Sequence, residues 1–555
     1  MIKVKNGSRF QLFLLVFSIL FLLAAVVCPM TALFAKAFQA NDGRFIGLAN
    51  FREYFTQPHL VRSLTNSLFV SFTVSCLSTA LAFVYAYALT RAAVPAKRLL
   101  RFTAMLPLFA PTMMFGIALG YLIGNTGRLS RAGLSLPLYG PLGIIVCEAV
   151  YTFPQAFLIL SVTLSYCDNR LYEAARVMGT GAFRTFRTVT LPGAKFGIIS
   201  AWLVSFTLCF ADFGAPKVVG GNYSVLATDI YKQVAGQQNF GMGAVVGLLL
   251  MTPALVMFVT DRLTRTAHDA TVSSRSVSYR VTENKARDLA LFLYCAVINL
   301  FILALFGTAL YAAFVKAWPY DMGLTLDNFL VDSPATGGIS SFRNSVATSL
   351  VSAGAGSLFV FLNAWLIEKT RGFTLLRQAD YLFSIIPLAL PGLSIGIAFI
   401  FFFNMEGNPL SFLYGTMWIM VLANIVHFYS VPFVTATSAL KKLDGEIETV
   451  SESMSVPLYR TFCRVTLPMC SEALLESAVY IFVNSMVTVS AVVFLYPADF
   501  KLASVAIVNM EDAGDIAPAA ALSVLVITVN IAARLAYEYA AGKLSKKSAL
   551  QTWRS

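Results

Sequence analysis

Charge is scarce in this chain. Only 12% of its 555 residues are Asp, Glu, Lys or Arg, while 57% are hydrophobic. A soluble domain carries about 25% charged residues, so this composition excludes a water-exposed globular protein. Histidine is rarer still, at three residues, His59, His268 and His427, which excludes a histidine-rich metal centre. The eight cysteines contain no CxxC pair and fall mostly inside or beside apolar runs. They predict free thiols, with neither a metal site nor a disulfide framework. No GxxxxGK[ST] loop occurs, so the chain does not hydrolyse nucleotide and needs no cofactor for that purpose. The apolar runs are continuous rather than alternating, which excludes a β-barrel.

What the chain has instead is many apolar runs of about 18 residues or more, each long enough to cross a bilayer as a helix. Twelve spans are predicted. The first half holds 11–34, 66–90, 100–123, 142–166, 194–213 and 242–260; the second holds 290–315, 344–367, 381–403, 413–439, 473–496 and 517–537. The expected fold is an all-α polytopic membrane protein of two tandem six-helix units, residues 1–260 and 290–555, joined by a polar, Ser/Arg-rich connector over 261–289. The first run is too long for the apolar core of a signal peptide and is expected to be retained.

The net charge of +13 would point to nucleic acid in a soluble protein. Here the positive-inside rule accounts for it. With the N-terminus inside, the segments 1–10, 91–101, 167–195, 261–288, 368–380, 440–472 and the tail from Arg534 hold 30 of the 41 Lys and Arg residues. Both termini are therefore expected in the cytoplasm, with lipid and no nucleic acid as a partner.

The two halves repeat one another. The polar stretch Glu173–Pro192, EAARVMGTGAFRTFRTVTLP, has a weaker copy at Thr449–Pro468, TVSESMSVPLYRTFCRVTLP, at an offset of 276. Asp168 and Asp444 fall on the same offset. Pro111-x4-Gly116-Ile117-Ala118 matches Pro391-x4-Gly396-Ile397-Ala398, Tyr151-x-x-Pro154 matches Tyr429-x-x-Pro432, and Asn66-Ser67 matches Asn344-Ser345. Chance similarity of apolar helices explains one such match, but not an ordered series along a whole half. Six spans per copy give both copies the same topology, related by an axis along the membrane normal with a pathway at their interface.

Glu173-Ala174-Ala175, with Gly179 and then Leu191-Pro192, resembles the EAA motif of permease subunits of binding-protein-dependent ABC importers. The resemblance covers nearly the whole chain and implies the type I importer permease fold. It implies a cytoplasmic coupling helix near 168–192 that docks on an ATP-binding subunit, with Asp168, Glu173, Ala174, Ala175 and Gly179 in the contact region. The second copy, near 444–468, departs from the pattern: Thr449 stands at the Glu173 position with Glu448 one place earlier, and Ser455 replaces Gly179. Asp444, Glu448 and Ser455 are its candidate coupling residues, and the two halves are expected to couple unequally. The plainer reading of both stretches is an amphipathic helix on the membrane surface.

Ionisable groups inside spans are costly and face protein or water. Glu148, in the fourth span, reads as pathway lining or as a structural carboxyl paired with another helix. His427, in the matching region of the tenth span, reads either way too. Asp212 ends the fifth span, its repeat partner being Thr488, and Asn484 lies in the eleventh; all are pathway candidates. The segment between the fifth and sixth spans carries Lys217 and Lys232 and reads as a docking loop or an ordinary solvated one.

The resemblance implies a non-catalytic translocation subunit in the bacterial inner membrane. Its partners would be a pair of identical ATP-binding cassette subunits and a periplasmic or lipid-anchored solute-binding protein. Fused two-half permeases are typical of the ferric-iron and 2-aminoethylphosphonate branch, and Ala211–Val246 resembles the phosphonate members most. The expected cargo is 2-aminoethylphosphonate or a related phosphonate, then ferric iron. The alternative from another class is an ion-coupled secondary transporter, which leaves the paired polar helices unexplained.

Overall fold

The computed structural model describes residues 2–552 except 41, 125–126, 128–129, 131–132, 134–136, 270–278, 280, 282, 319 and 371. Among them, eight helices are long and apolar enough to cross a membrane, and four bent helix pairs raise the number to twelve. Six of the twelve fall before the connector and six after it. Two short antiparallel strand pairs, Val315–Ala317 with Asp321–Leu324 and Asp332–Ser333 with Gly337–Gly338, lie between the seventh and eighth spans.

The sharpest bends are a repeated feature with a local cause. Span 3 is Lys97–Phe109 followed by Thr112–Ile123 at 104°; span 9 is Thr374–Ala389 followed by Gly392–Phe403 at 115°. Each break ends in a proline, Pro111 or Pro391, whose ring drives the preceding residue out of the helical region. Ala110 and Leu390 are accordingly extended, at φ −105°, ψ 141° and φ −105°, ψ 115°. The sequence analysis read each of them as one span, 100–123 and 381–403, without the break.

Just past each bend the repeated glycine allows a close approach. A Cβ on Gly116 would lie 2.8 Å from Val218 Cγ1, and one on Gly396 would lie 3.0 Å from the Ala491 carbonyl oxygen. Both neighbours belong to the segment that follows the fifth span of the same half, so the second arm of the bend packs on it.

The halves are interlocked. The first span of each half packs on the last span of its own half and also on the bent span of the other: Arg9–Ala37 lies on span 9, and Lys285–Phe314 on span 3. Polar contacts tie each first span to the other half. Ser18 donates to Asp380 (3.2 Å) and Tyr85 donates to Asn299 (3.0 Å). The last spans reach across as well: Ser394 donates to the Gly247 carbonyl (2.9 Å), and Asn530 to the Phe109 carbonyl (3.0 Å). The last two contacts are related by the repeat, each joining the last span of one half to the bent span of the other.

Candidate functional site

The first polar helix is Asn169–Val177. Asp168 caps it, its carboxylate accepting from the Arg170 amide at 3.1 Å; Asp444 caps the second, Glu446–Ser453, from the Glu446 amide at 3.0 Å. A side-chain cap satisfies one of the amides that a helix start leaves unpaired. Both helices end in a left-handed residue, Gly179 at φ +66° and Ser455 at φ +56°. Beyond it the Thr180 amide donates to the Ala175 carbonyl (3.0 Å), and the Val456 amide to the Ser451 carbonyl (2.9 Å). This closing bond is the usual way a helix C-terminus pairs its last carbonyls. Each polar segment then runs through one π-helical turn, Phe186–Thr190 or Phe462–Thr466, into its fifth span.

Glu173, Ala174 and Gly179 are exposed, and Ala175 is buried. The Glu173 carboxylate accepts from Asn169 Nδ2 within its own helix (2.7 Å). Around it stands an uncovered apolar surface of Leu171, Val177, Met178 and Phe183, with Val177 89% exposed. The second copy exposes Val450, Met454 and Tyr459. Both surfaces lie on one face of the bundle, the end from which the fifth spans start.

The second helix turns the same face inward with different chemistry. Glu448 stands at the position of Tyr172, and its carboxylate is buried 3.6 Å from Lys369 Nζ. Lys369 in turn donates to the Leu443 carbonyl (2.8 Å). In the first half the equivalent base is Arg91, which donates to the Leu164 carbonyl (2.7 Å) and lies over the ring of Tyr172. Tyr279, from the connector, covers the other side of Arg91 at 4.0 Å and packs edge-on against Tyr172. This Tyr172–Arg91–Tyr279 stack was not legible beforehand, because a tyrosine in a polar linker carries no periodicity.

At the opposite face each half folds a segment back over its fifth span. Asn66 donates to the Ser224 carbonyl (2.9 Å) and Ser67 accepts from the Leu226 amide (2.8 Å). The repeat does the same, with Asn344 to Lys501 (3.1 Å) and Ser345 from Ala503 (2.7 Å). The duplicated Asn-Ser pair is therefore a clamp on that segment. Across the halves Lys217 pairs with Asp512 at 2.8 Å. Lys232 donates to Ser224 Oγ at 2.8 Å. Burial and the Asp512 charge push the neighbouring Glu511 carboxyl up to about 7, against the pull of Lys217.

Two pathway candidates come together. Glu148 is fully buried in Pro141–Ser165, its carboxyl hydrogen-bonded to that of Asp212. Its neighbour is Asp212, at the end of Leu191–Ala211. Asp212 accepts from Thr112 Oγ1 (3.1 Å) and from the Ala215 amide (3.0 Å). Tyr151 is close to both, and Tyr480 of the second half is close to Tyr151. The others stay apart from the pair. The His427 ring lies tilted against that of Phe428, which sits edge-on to Tyr480. Asn484 donates back to the Tyr480 carbonyl in its own helix (2.8 Å). Thr488 is buried, its carbonyl accepting from Ser504 (2.6 Å).

The sequence placed Asp380 at the end of a loop, but it is fully buried and joined to Ser18 of the crossing span. Close by, Asn363 donates to Tyr429 (2.6 Å) and to Ser384 (2.9 Å).

Among the described residues no group of three His, Cys, Asp or Glu could hold a metal ion. A duplicated bundle of this kind, interlocked within the membrane and exposing paired apolar helices at one face, is built to pass a solute rather than to transform it. The chain belongs to the family of binding-protein-dependent transport system inner membrane components, which it matches twice, over residues 78–266 and 361–546. It is thus an ABC-importer permease with both halves fused, a protein of the bacterial inner membrane.

Curated relatives include a putative ferric transport system permease protein of Haemophilus influenzae, 27% identical over 90% of this chain and 80% of that protein. The ferric transport system permease protein of Actinobacillus pleuropneumoniae is 26% identical over 98% of this chain and 80% of its own length. A putative 2-aminoethylphosphonate transport system permease protein of Salmonella paratyphi A is 27% identical over 29% of this chain and 60% of that protein.

Proposed function

We propose that this chain carries ferric iron inward, receiving it from a separate binding protein and driven by separate ATP-binding subunits docked on the two polar helices. The observation that carries the cargo assignment is the Glu148–Asp212 pair beside the junction of the halves. Two carboxyls without a basic partner repel a phosphonate and attract a cation. The near full-length likeness to ferric permeases points the same way. Lys217 and Lys232, which recommended an anionic cargo, are engaged by Asp512 and Ser224. Phosphonate remains the second reading, supported by the partial likeness to a phosphonate permease and by the Ala211–Val246 stretch.

In this reading the polar-helix face is cytoplasmic, in accord with the distribution of Lys and Arg. The exposed Ala174, Met178 and Phe183 surface enters a groove on one ATP-binding subunit, and Val450, Met454 and Tyr459 enter its twin. Glu173, Gly179 and the caps Asp168 and Asp444 shape that contact. Glu448 and Ser455 serve it indirectly, by fixing the second helix on its span.

The test is transport by cells that lack the chain and regain it from a plasmid. Uptake of radioactive iron from ferric citrate, without growth on 2-aminoethylphosphonate as the sole phosphorus source, is expected. Growth on the phosphonate without iron uptake would reverse the assignment. Copurification of the ATP-binding subunits, lost on deletion of 168–192, checks the docking role.

A further inference from the structure

We propose that Tyr279 is a positioning residue for energy coupling: it ties the first polar helix to the first span of the second half, so that movement of that helix is passed to both halves. This rests on the polar helices being the docking sites of the ATP-binding subunits, and it is independent of the cargo.

The joint is built around a buried charge. Arg91 ends the helix Pro58–Arg91 and is 1% exposed. Among the described residues no carboxylate forms an ion pair with it, and its Nε has no hydrogen-bond partner. Its guanidinium donates to the Leu164 carbonyl, in the last turn of Pro141–Ser165 (2.7 Å). Two rings flank the charge, Tyr279 at 4.0 Å and Tyr172 at 5.0 Å. The rings also meet each other, with centroids 4.9 Å apart and planes at 75°. A cation held against aromatic faces away from water is attracted more strongly than at a surface. Each of the three groups therefore braces the other two, and loss of either ring leaves a buried charge short of a partner.

The triad joins elements that come from different parts of the chain. Tyr172 lies in the first polar helix, Asn169–Val177, and its hydroxyl donates to Thr190 at the turn into the fifth span (3.1 Å). Tyr279 stands in the connector just ahead of Lys285–Phe314. That span is already bonded to the second one, where Tyr294 donates to the Leu81 carbonyl (2.9 Å) and Asn299 accepts from Tyr85 (3.0 Å). Tyr279 carries the attachment onto the polar helix itself. The second half closes the equivalent position from within, Glu448 facing Lys369 at 3.6 Å. A push on the first polar helix is thus delivered to its own half through Arg91 and Thr190, and to the other half through Tyr279.

The chain is assembled in lipid nanodiscs with its ATP-binding subunits and spin-labelled at Arg170→Cys on the polar helix and Leu293→Cys on the seventh span, both exposed positions. The exposed Cys76 and Cys463 are replaced by Ser. Double electron–electron resonance reads the separation of the labels with and without ATP and vanadate. With Tyr279 intact one unchanged separation is expected, because the helix and the start of the span move as one piece. Tyr279→Phe, which keeps the ring, should behave alike. Tyr279→Leu should show a second separation in the ATP state, and import per ATP hydrolysed should fall roughly tenfold, the scale of losing one desolvated cation–ring contact. A separation that shifts on ATP binding with Tyr279 intact overturns the proposal whatever the variants do. So does a Tyr279→Leu chain with the separation and import of the wild type. ATP-binding subunits that do not copurify with the wild type overturn the docking reading, and the proposal with it.

Discussion

Gly179 and Ser455 occupy the same left-handed corner at the end of the two polar helices, and only one of them is a glycine. A side chain in that region costs roughly 1 kcal/mol. Ser455→Gly should therefore tighten the second helix by up to about 1 kcal/mol, and Gly179→Ala should loosen the first by a similar amount. Hydrogen exchange at the amides of 446–456 and 169–180 reads each change locally; equal protection in wild type and variants would refute it. A second single-residue effect concerns Glu511, whose carboxyl is pushed up to about 7. An acid whose pKa is raised on folding weakens the folded state progressively as pH climbs from its unfolded value toward the folded one, and by a constant amount above that. Glu511→Gln should thus match the wild type in thermal stability near pH 4.5 and exceed it at pH 8. A gap that is the same at both values would mean that Glu511 titrates normally.

At the scale of elements, the two polar helices are anchored by different chemistry at one equivalent position. In the first half Arg91 lies between Tyr172 and Tyr279; in the second, Lys369 faces a buried Glu448. Breaking one partner of a buried ion pair costs about 3–5 kcal/mol, because the other is left uncompensated. Glu448→Ala should therefore detach the second helix and reduce copurification of the ATP-binding subunits, as Tyr172→Ala should in the first half to a smaller extent. The double change Lys369→Arg with Glu448→Tyr imports the first-half arrangement and should restore part of what Glu448→Tyr alone loses. A double variant no better than the single one would show that the pairing has no energetic role. The sequence made the helices themselves legible through their caps, the glycine and the shared Leu-Pro ending. It did not reveal which face of the second helix is buried. Glu448 read as a displaced copy of Glu173, although the 276-residue offset sets it at the position of Tyr172, and the structure shows it in that buried role. Bends were half legible in the same way. Pro154 and Pro432 match, yet Pro141–Ser165 runs on while Met417–His427 and Ser430–Lys441 meet at 54°, with the break four residues before Pro432, where its ring meets a carbonyl.

For the whole molecule, hydropathy made the twelve spans and their duplication readable, since a bilayer demands long apolar helices and little else. The interlocking of the halves was not readable, because an apolar helix surface carries no mark of which neighbour it will meet. That interlocking matters for how the halves can move. With the first spans crossed and Asn530 and Ser394 bonded across the bends, the halves cannot separate as free bodies and must rock about the crossings. On the face away from the polar helices, the Lys217–Asp512 pair is the polar contact that such rocking would break. Lys217→Cys with Asp512→Cys, in a chain whose exposed Cys76 and Cys463 are replaced by Ser, allows that face to be closed with a short bifunctional thiol reagent. Linked chains should stop importing while still binding their ATP-hydrolysing partners, and cleaving the linker should restore import. The single variant Lys217→Ala should instead open that face more readily, raising ATPase activity in the absence of cargo, since an exposed ion pair worth at most about 1 kcal/mol can bias a balanced equilibrium up to about fivefold. Import that continues at full rate in the linked chain would mean that the face does not open during transport, and that cargo enters by another route.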